Sequence, residues 1–164
     1  MEWLYLACVV VSGMAIIVIT LIIPLGVFMR YVMRSALSWP EPASVIMMVL
    51  FSFVGGAAVY RANGHMAVQA LLNSVSAPVR RAMLWAVEIL TAAIALFMLF
   101  YGIELCLITR YQSIAEFPGL PVAVTYLPIP VAGLLTLLFL IERVWLGPAP
   151  PNSVMFSDKP VGLE

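Results

Sequence analysis

The chain begins with a charge-free run from Trp3 to Met29, and this run restricts the fold more than any other feature. A helix needs about 20 consecutive apolar residues to cross the hydrocarbon core of a bilayer, and this run is longer than that. A secretory signal would have a positive start, a shorter apolar stretch and a cleavage site with small residues. Only Glu2 precedes this run, so we predict a permanent membrane helix over about residues 3–33.

Composition also indicates an integral membrane protein. Hydrophobic residues make up 64% of the chain, charged residues make up 10%, and the mean hydropathy is +1.10. In soluble domains about a quarter of the residues are charged. The formal net charge is zero, so no basic surface for nucleic acid is expected. Cys8 and Cys106 each lie in an apolar run and are predicted to be buried hydrophobes rather than a disulfide or metal pair.

Three further apolar runs are long enough to cross a bilayer. They cover about residues 42–60, 78–111 and 125–145. Pro24 is expected to kink or loosen the end of the first span. The predicted fold class is therefore an all-α integral membrane protein with four transmembrane helices.

The segments between and after these spans are predicted to remain outside the hydrocarbon core. Residues 66–76 place apolar side chains at helical spacing among polar ones, which predicts a short interfacial amphipathic helix. Proline and glycine interrupt residues 112–124, so a loop is expected there. We predict one membrane domain over residues 1–146, followed by a flexible tail over 147–164 that lacks periodicity and apolar mass.

One stretch, Phe28 to Met66, concentrates residues that are costly in a membrane. We predict that its polar, aromatic and small residues act in assembly or in docking of a partner: Arg30, Arg34, Trp39, Glu41, Gly55, Gly56, Arg61 and His65.

Several of these residues also have a purely structural interpretation. Arg30 and Arg34 lie on one helix face and can extend to the lipid headgroups. The second helix is expected to have its cap at Ser38 or Trp39 and its first helical residue at Pro40. Glu41 then lies in the first turn, beside the positive end of the helix dipole. Alternatively, it pairs with one of the two arginines or with an arginine of a partner chain. The glycine pair permits close helix packing, either within this chain or against a partner.

Two carboxylates lie within the third predicted span. Each costs roughly 2.5–3.5 kcal/mol near the bilayer centre unless it has a partner, a proton or access to the interface. Glu88 follows Arg81 by seven residues on nearly the same face, so this arginine is its expected partner. Glu104 lies near the interface marked by Arg110 and Tyr111. A proton or ion site is the alternative for both glutamates.

Most catalytic and redox chemistry lacks its residues in this sequence. A bis-histidine haem site needs two histidines at membrane depth, and the chain has only His65. Cysteine and histidine are not clustered as in a metal site, and there is no Gly-rich phosphate loop or GxSxG motif. Four helices without a visible repeat are too few for a self-sufficient secondary transporter. No cofactor is expected, and the chain is predicted to work through a partner.

The order of motifs in the central stretch resembles a known family. Arg30-Tyr31, Trp39-Pro-Glu41, Gly55-Gly56-Ala57 and Arg61-x-x-x-His65, then an amphipathic segment and Tyr126-Leu-Pro-Ile-Pro130, resemble the small membrane subunit, DctQ-type, of tripartite ATP-independent periplasmic (TRAP) transporters. The resemblance covers roughly residues 15–145. The family pattern often has two acids after the tryptophan, whereas here the second is Pro42, which leaves Glu41 as the only acid to carry over.

The resemblance implies a non-catalytic scaffold in a bacterial inner-membrane importer driven by a sodium gradient. The large M-type subunit would carry the ion and substrate sites and make the elevator-like movement. A periplasmic binding protein (P-type) would deliver organic acids such as C4-dicarboxylates or sialic acids and dock transiently. The small subunit would be embedded in the lipid bilayer beside the large one.

Basic residues favour an orientation with both termini in the cytoplasm. In that orientation five basic residues lie inside and three lie outside: Arg61, Arg80, Arg81, Arg143 and Lys159 against Arg30, Arg34 and Arg110. Two other functions remain open from the sequence. One is a four-helix proton- or ion-conducting protein that uses Glu88 and Glu104, and the other is an anchoring subunit of a membrane enzyme.

Overall fold

The computed structural model describes residues 2–35, 37–62 and 76–146. Four helical segments in these ranges are long and apolar enough to cross a membrane, which confirms the predicted fold class. The elements in chain order are α1 (Glu2–Tyr31), α2 (Pro40–Arg61), α3 (Ala77–Thr109), β1 (Ser113–Ile114), β2 (Phe117–Pro121), α4 (Ala123–Tyr126) and α5 (Pro128–Leu146).

The first two spans form a helical hairpin with a tight corner. α1 continues through Pro24 and ends at Tyr31, and Arg34 a little further on has a left-handed φ of 51°. This conformation turns the chain out of the helix, and the Ser35 N–H donates to the Met29 carbonyl at 3.0 Å. α2 then begins at Pro40, where a proline is tolerated because the first helical N–H groups have no partner within the helix.

The third span is long, and a small hairpin follows it. α3 has 33 residues, which corresponds to a length of about 50 Å. The segment 112–124, predicted as a loop, contains the antiparallel strands β1 and β2, with Ile114 opposite Phe117. The fourth span then consists of α4 and α5, which meet at Leu127 and Pro128.

The four spans pack in a row rather than as a closed bundle. The extensive helix contacts are α1 with α2, α2 with α5, and α5 with α3. The edge helices α1 and α3 therefore bury the smallest shares of their spans. The apolar core lies along α1, α2 and α5 and consists of Cys8, Val54, Ala57, Ala58, Tyr60 and Phe139.

Small residues set the spacing of this row. A Cβ atom added at Gly133 of α5 would lie 2.9 Å from the Ala95 carbonyl oxygen and 3.0 Å from the Leu99 nitrogen, so the α3 backbone approaches α5 directly. Gly55 faces Ser12 of α1, whereas Gly56 has open space around it. The close packing at Gly55 is therefore within this chain, whereas Gly56 lines an open groove between α2, α3 and α5.

Three predicted features lie outside the described residues: the interfacial helix over 66–76, His65, and the tail over 147–164. The division into a domain over 1–146 and a tail stays a prediction. The row of helices has two ends. The termini end is the end at which α1 begins and α5 ends, and the corner end is the end at which α1 leads into α2.

Candidate functional site: an ionic cluster and an exposed carboxylate

The most buried charge pair among the described residues joins α2 to α5. The Arg61 Nε donates to Glu142 Oε2 at 2.8 Å, and Nη2 donates to Oε1 at 2.9 Å, so the pair is bidentate. The Arg61 side chain is 7% exposed and that of Glu142 is 20% exposed. Charge-assisted bidentate pairs combine strength with a fixed geometry, so this contact sets the rotation of α2 against α5.

Two aromatic rings complete the surroundings of Arg61. Its guanidinium carbon lies 5.4 Å from the ring centre of Tyr5 in α1 and 5.5 Å from that of Phe139 in α5. Both distances fall within the range of cation–π attraction. The remaining guanidinium nitrogen, Nη1, is buried and has no hydrogen-bond partner within the described part of the chain.

A second ion pair lies beside the first and joins α5 to α3. The Arg143 Nε donates to Glu88 Oε1 at 2.8 Å, and the Tyr60 hydroxyl of α2 donates to the other carboxylate oxygen of Glu88. The prediction that Arg81 is the partner of Glu88 was wrong. Seven residues along a helix separate two positions by about 10.5 Å, whereas Arg143 reaches the carboxylate from a neighbouring helix.

All four spans meet at this ionic cluster, which we define as Tyr60, Arg61, Glu88, Glu142 and Arg143. α1 contributes the ring of Tyr5 against it. Two cations face two anions, so the cluster is neutral overall. Its members lie towards the termini end of their helices, and charges that are paired in this way avoid most of the cost of a lone charge in the membrane.

The predicted residues of the corner end are not brought into this cluster. Arg30 and Glu41 line one groove between α1 and α2, but no ion pair joins them in the described structure. Arg34 is exposed, and Trp39 is partly buried at the N-cap of α2, where its side chain makes no capping hydrogen bond. Four of the predicted docking residues therefore lie at the corner end, and Arg61 lies at the opposite end of α2.

Glu104 lies on the outer face of α3. It is exposed, and no described basic residue lies within ion-pair distance of it. The Arg110 guanidinium, which marks the expected interface, stacks on the Tyr111 ring at 4.4 Å. We define the α3 flank as the exposed residues that surround this carboxylate: Phe97, Phe100, Tyr101, Glu104, Leu107 and Ile108.

No group of three or more metal-ligating side chains occurs within residues 2–35, 37–62 and 76–146. Both cysteines are free thiols; Cys8 is buried in the apolar core, and Cys106 donates weakly to the Ala123 carbonyl at 3.7 Å. This placement agrees with the prediction that they act as small hydrophobes.

Comparison of the sequence with models of known families identifies the family of this chain. The model of the DctQ component of tripartite ATP-independent periplasmic transporters matches residues 19–147. The chain belongs to the DctQ family. It is therefore a subunit of a transporter rather than an enzyme.

A relative with a similar sequence supports the same assignment for this DctQ chain. A protein of Haemophilus influenzae that is named a TRAP transporter small permease is 26% identical over 125 residues, which cover 76% of this chain and 77% of that protein. The region that the family model matches, residues 19–147, contains α2, α3 and α5, the helices that supply the ionic cluster.

Sequence reasoning missed three of the five residues of the ionic cluster in this DctQ chain. It singled out Arg61 and Glu88, but it treated Arg143 only as an orientation marker and did not consider Tyr60 or Glu142. A signal was present, because Glu142 and Arg143 are adjacent acid and base residues inside an apolar run. In a chain with so few charges, each one at membrane depth needs a partner of opposite sign at the same depth.

Proposed function

We propose that this DctQ subunit is a non-catalytic scaffold that braces the large M-type membrane subunit of a TRAP transporter. The observation that carries the proposal is the exposed Glu104 on the α3 flank. Ionisable residues within membrane spans almost always face protein or water rather than lipid. Glu104 lies close to the interface, so its carboxylate reaches either water there or another protein, and the exposed aromatic residues beside it favour a protein.

The surroundings of Glu104 fit a protein contact. Phe97, Phe100 and Tyr101 lie one turn or two turns before it and are each more than half exposed. Aromatic side chains bury large areas and are enriched at protein interfaces. An arginine, lysine or backbone N–H group of the large subunit would satisfy the carboxylate, while the rings would supply the apolar contact.

The charges inside the chain support a static role. The two ion pairs of the ionic cluster use the carboxylates of Glu88 and Glu142. Glu88 and Glu104 are sixteen residues apart on one helix, a separation of about 24 Å along its axis. One carboxylate faces the helix row and the other faces outward, so together they do not form the two ends of one proton or ion path.

The finer function follows the family. We propose a sodium-driven importer of organic acids, C4-dicarboxylate-like or sialic-acid-like, in the bacterial inner membrane. Ion and substrate sites lie in the large subunit, and a periplasmic binding protein docks transiently. The excess of basic residues at the termini end supports an orientation with both termini in the cytoplasm, which would place the corner end at the periplasmic face.

Co-purification tests the contact surface. The large subunit and this chain are produced together, and the amount of large subunit retained by a tag on this chain is measured. Glu104→Lys places a positive charge where the partner is expected to supply one, so we expect at least a tenfold loss of the complex. The matched control is Glu116→Lys, which makes the same change at an exposed residue of the β1–β2 turn and is expected to leave the complex intact. Equal retention of both variants would refute the assigned surface.

Transport in liposomes tests the scaffold role separately. The large subunit with this chain should take up substrate in the presence of binding protein and sodium, and the large subunit alone should not. Glu88→Gln should leave transport near normal in every complex that assembles. Full transport by the large subunit alone would overturn the scaffold role, and loss of flux in an assembled Glu88→Gln complex would favour ion conduction by this chain.

A further inference from the structure

A groove opens between α1 and α2 at the corner end. It has a volume of about 370 Å³, and its walls come from the last turns of α1 and the first turns of α2. Apolar side chains also line it, among them Ile23, Val27 and Val45. Gly26 allows Pro40 to approach closely at its base, since an added Cβ there would lie 3.3 Å from the proline Cβ.

The mouth of the groove carries two opposite charges that do not neutralise each other. Arg30 extends from α1 and Glu41 from α2, both are exposed, and no ion pair joins them in the described structure. The Ser44 hydroxyl, also in the lining, already donates to the Pro40 carbonyl at 2.7 Å. Among the described residues, the groove therefore offers one cation and one anion without an ion-pair partner, next to an apolar lining.

The depth of these charges matches the polar layer of a membrane. Arg30 lies in the last turn of the span α1, and Glu41 lies in the first turn of the span α2. Both residues are consequently at the level where lipid headgroups meet the hydrocarbon core. Ile23 and Val27 lie deeper along the same helix.

We propose that this groove binds one phospholipid with a primary ammonium headgroup, a phosphatidylethanolamine. Arg30 binds the phosphate, Glu41 accepts hydrogen bonds from the ammonium, and one acyl chain lies along Ile23, Val27 and Val45. The bound lipid fills the groove between the two helices at the corner end.

The arrangement of charges explains the choice of headgroup. A guanidinium forms charge-assisted hydrogen bonds with phosphate oxygens, and a primary ammonium supplies three donors to a carboxylate. Phosphatidylcholine keeps the positive charge but lacks these donors. Phosphatidylglycerol has no cation, so Arg30 could still bind its phosphate but the Glu41 carboxylate would have no counter-charge from the lipid.

Native mass spectrometry of the full chain tests this site. The purified chain is stripped of lipid and titrated with phosphatidylethanolamine, phosphatidylcholine or phosphatidylglycerol of identical acyl chains. A hydrogen bond between charged groups is worth roughly a factor of ten or more in binding. We expect the first phosphatidylethanolamine to bind about tenfold more tightly than either of the other lipids.

Charge-removing variants separate the two contacts. Arg30→Gln should weaken phosphatidylethanolamine binding about tenfold, and Glu41→Gln should remove its advantage over phosphatidylglycerol. The matched controls, Arg34→Gln and Glu116→Gln, remove the same charges from exposed residues outside the groove and should bind like the wild type. Equal binding of the three lipids by the wild type, or equal effects of Arg30→Gln and Arg34→Gln, would overturn the proposal.

Photocrosslinking of the unmodified chain makes the test independent of how the variants fold. A phosphatidylethanolamine with a photoreactive acyl chain should label peptides from residues 23–31 and 37–45. Labelling confined to other segments would overturn the proposal. The same reaction in the complex with the large subunit identifies the occupant, because loss of the label there would show that protein, rather than lipid, fills the groove.

Discussion

Removal of Arg61 is the perturbation that most directly tests the ionic cluster. Its side chain is 7% exposed and makes two hydrogen bonds to Glu142. Loss of one member of a buried ion pair typically costs about 3–5 kcal/mol, because the other charge remains buried without a partner. Unfolded chains in a membrane mimic also find some partners, so we expect a value near the lower end, about 3 kcal/mol, for Arg61→Met.

A double-mutant cycle distinguishes this effect from a loss of packing. Arg61→Met leaves Glu142 charged and unpaired, and Glu142→Leu leaves Arg61 in the same condition. The double variant removes both charges and keeps similar volume, so it should recover to within about 1 kcal/mol of the wild type. The same cycle on Arg143 and Glu88 should give a smaller coupling, because the Arg143 side chain is 30% exposed.

The assay is unfolding of the purified chain in mixed micelles by increasing mole fraction of SDS. Tryptophan fluorescence reports the transition, since the chain contains four tryptophans. Arg110→Met is the control for removal of an arginine from an exposed position, and it should change the free energy of unfolding by less than about 0.5 kcal/mol. The reasoning fails if Arg61→Met behaves like Arg110→Met, or if the double variant is as unstable as the sum of the single variants.

Two other substitutions test the backbone geometry in the same assay. Gly133→Ala places a Cβ about 3 Å from backbone atoms of α3 and should lower the free energy of unfolding by about 1–3 kcal/mol. The control Gly56→Ala has open space around it and should leave the free energy of unfolding unchanged. Equal effects of the two variants would contradict the close approach of α3 and α5. Arg34→Gly removes the steric cost of a left-handed φ and should raise the free energy of unfolding by about 0.5–1 kcal/mol. The control Arg34→Ala should leave the free energy of unfolding nearly unchanged. A loss of stability in the glycine variant would contradict the left-handed turn.

The row-like packing has a consequence for assembly. A closed four-helix bundle would hide one face of every helix, whereas here α1 and α3 form edges and expose large side chains along most of their lengths. The ionic cluster ties the row together at the termini end, where Arg61, Glu88, Glu142 and Arg143 connect three spans. A subunit whose helices are joined by ion pairs at one end, and whose two edge helices expose broad apolar surfaces, is suited to pack against a larger membrane protein.

The predicted fold class was confirmed because it depends on local properties of the chain. An apolar run of sufficient length must form a helix in lipid, since its backbone N–H and C=O groups can bond only within the segment. The four spans were therefore predictable from the sequence. The β1–β2 hairpin was not, because strand pairing in five-residue and two-residue segments has almost no hydrophobic pattern to read.

The sequence alone determined that this chain enters a membrane, how many times it crosses, and which few charges need partners. Only the tertiary structure decided the partners: Glu88 pairs with Arg143 rather than Arg81, Arg61 pairs with Glu142 within the chain, and Glu104 faces outward. Helical periodicity places a side chain on a face of its own helix. Which face meets which neighbour depends on the rotation and offset of packed helices, and these are set by contacts between residues that are distant in the sequence.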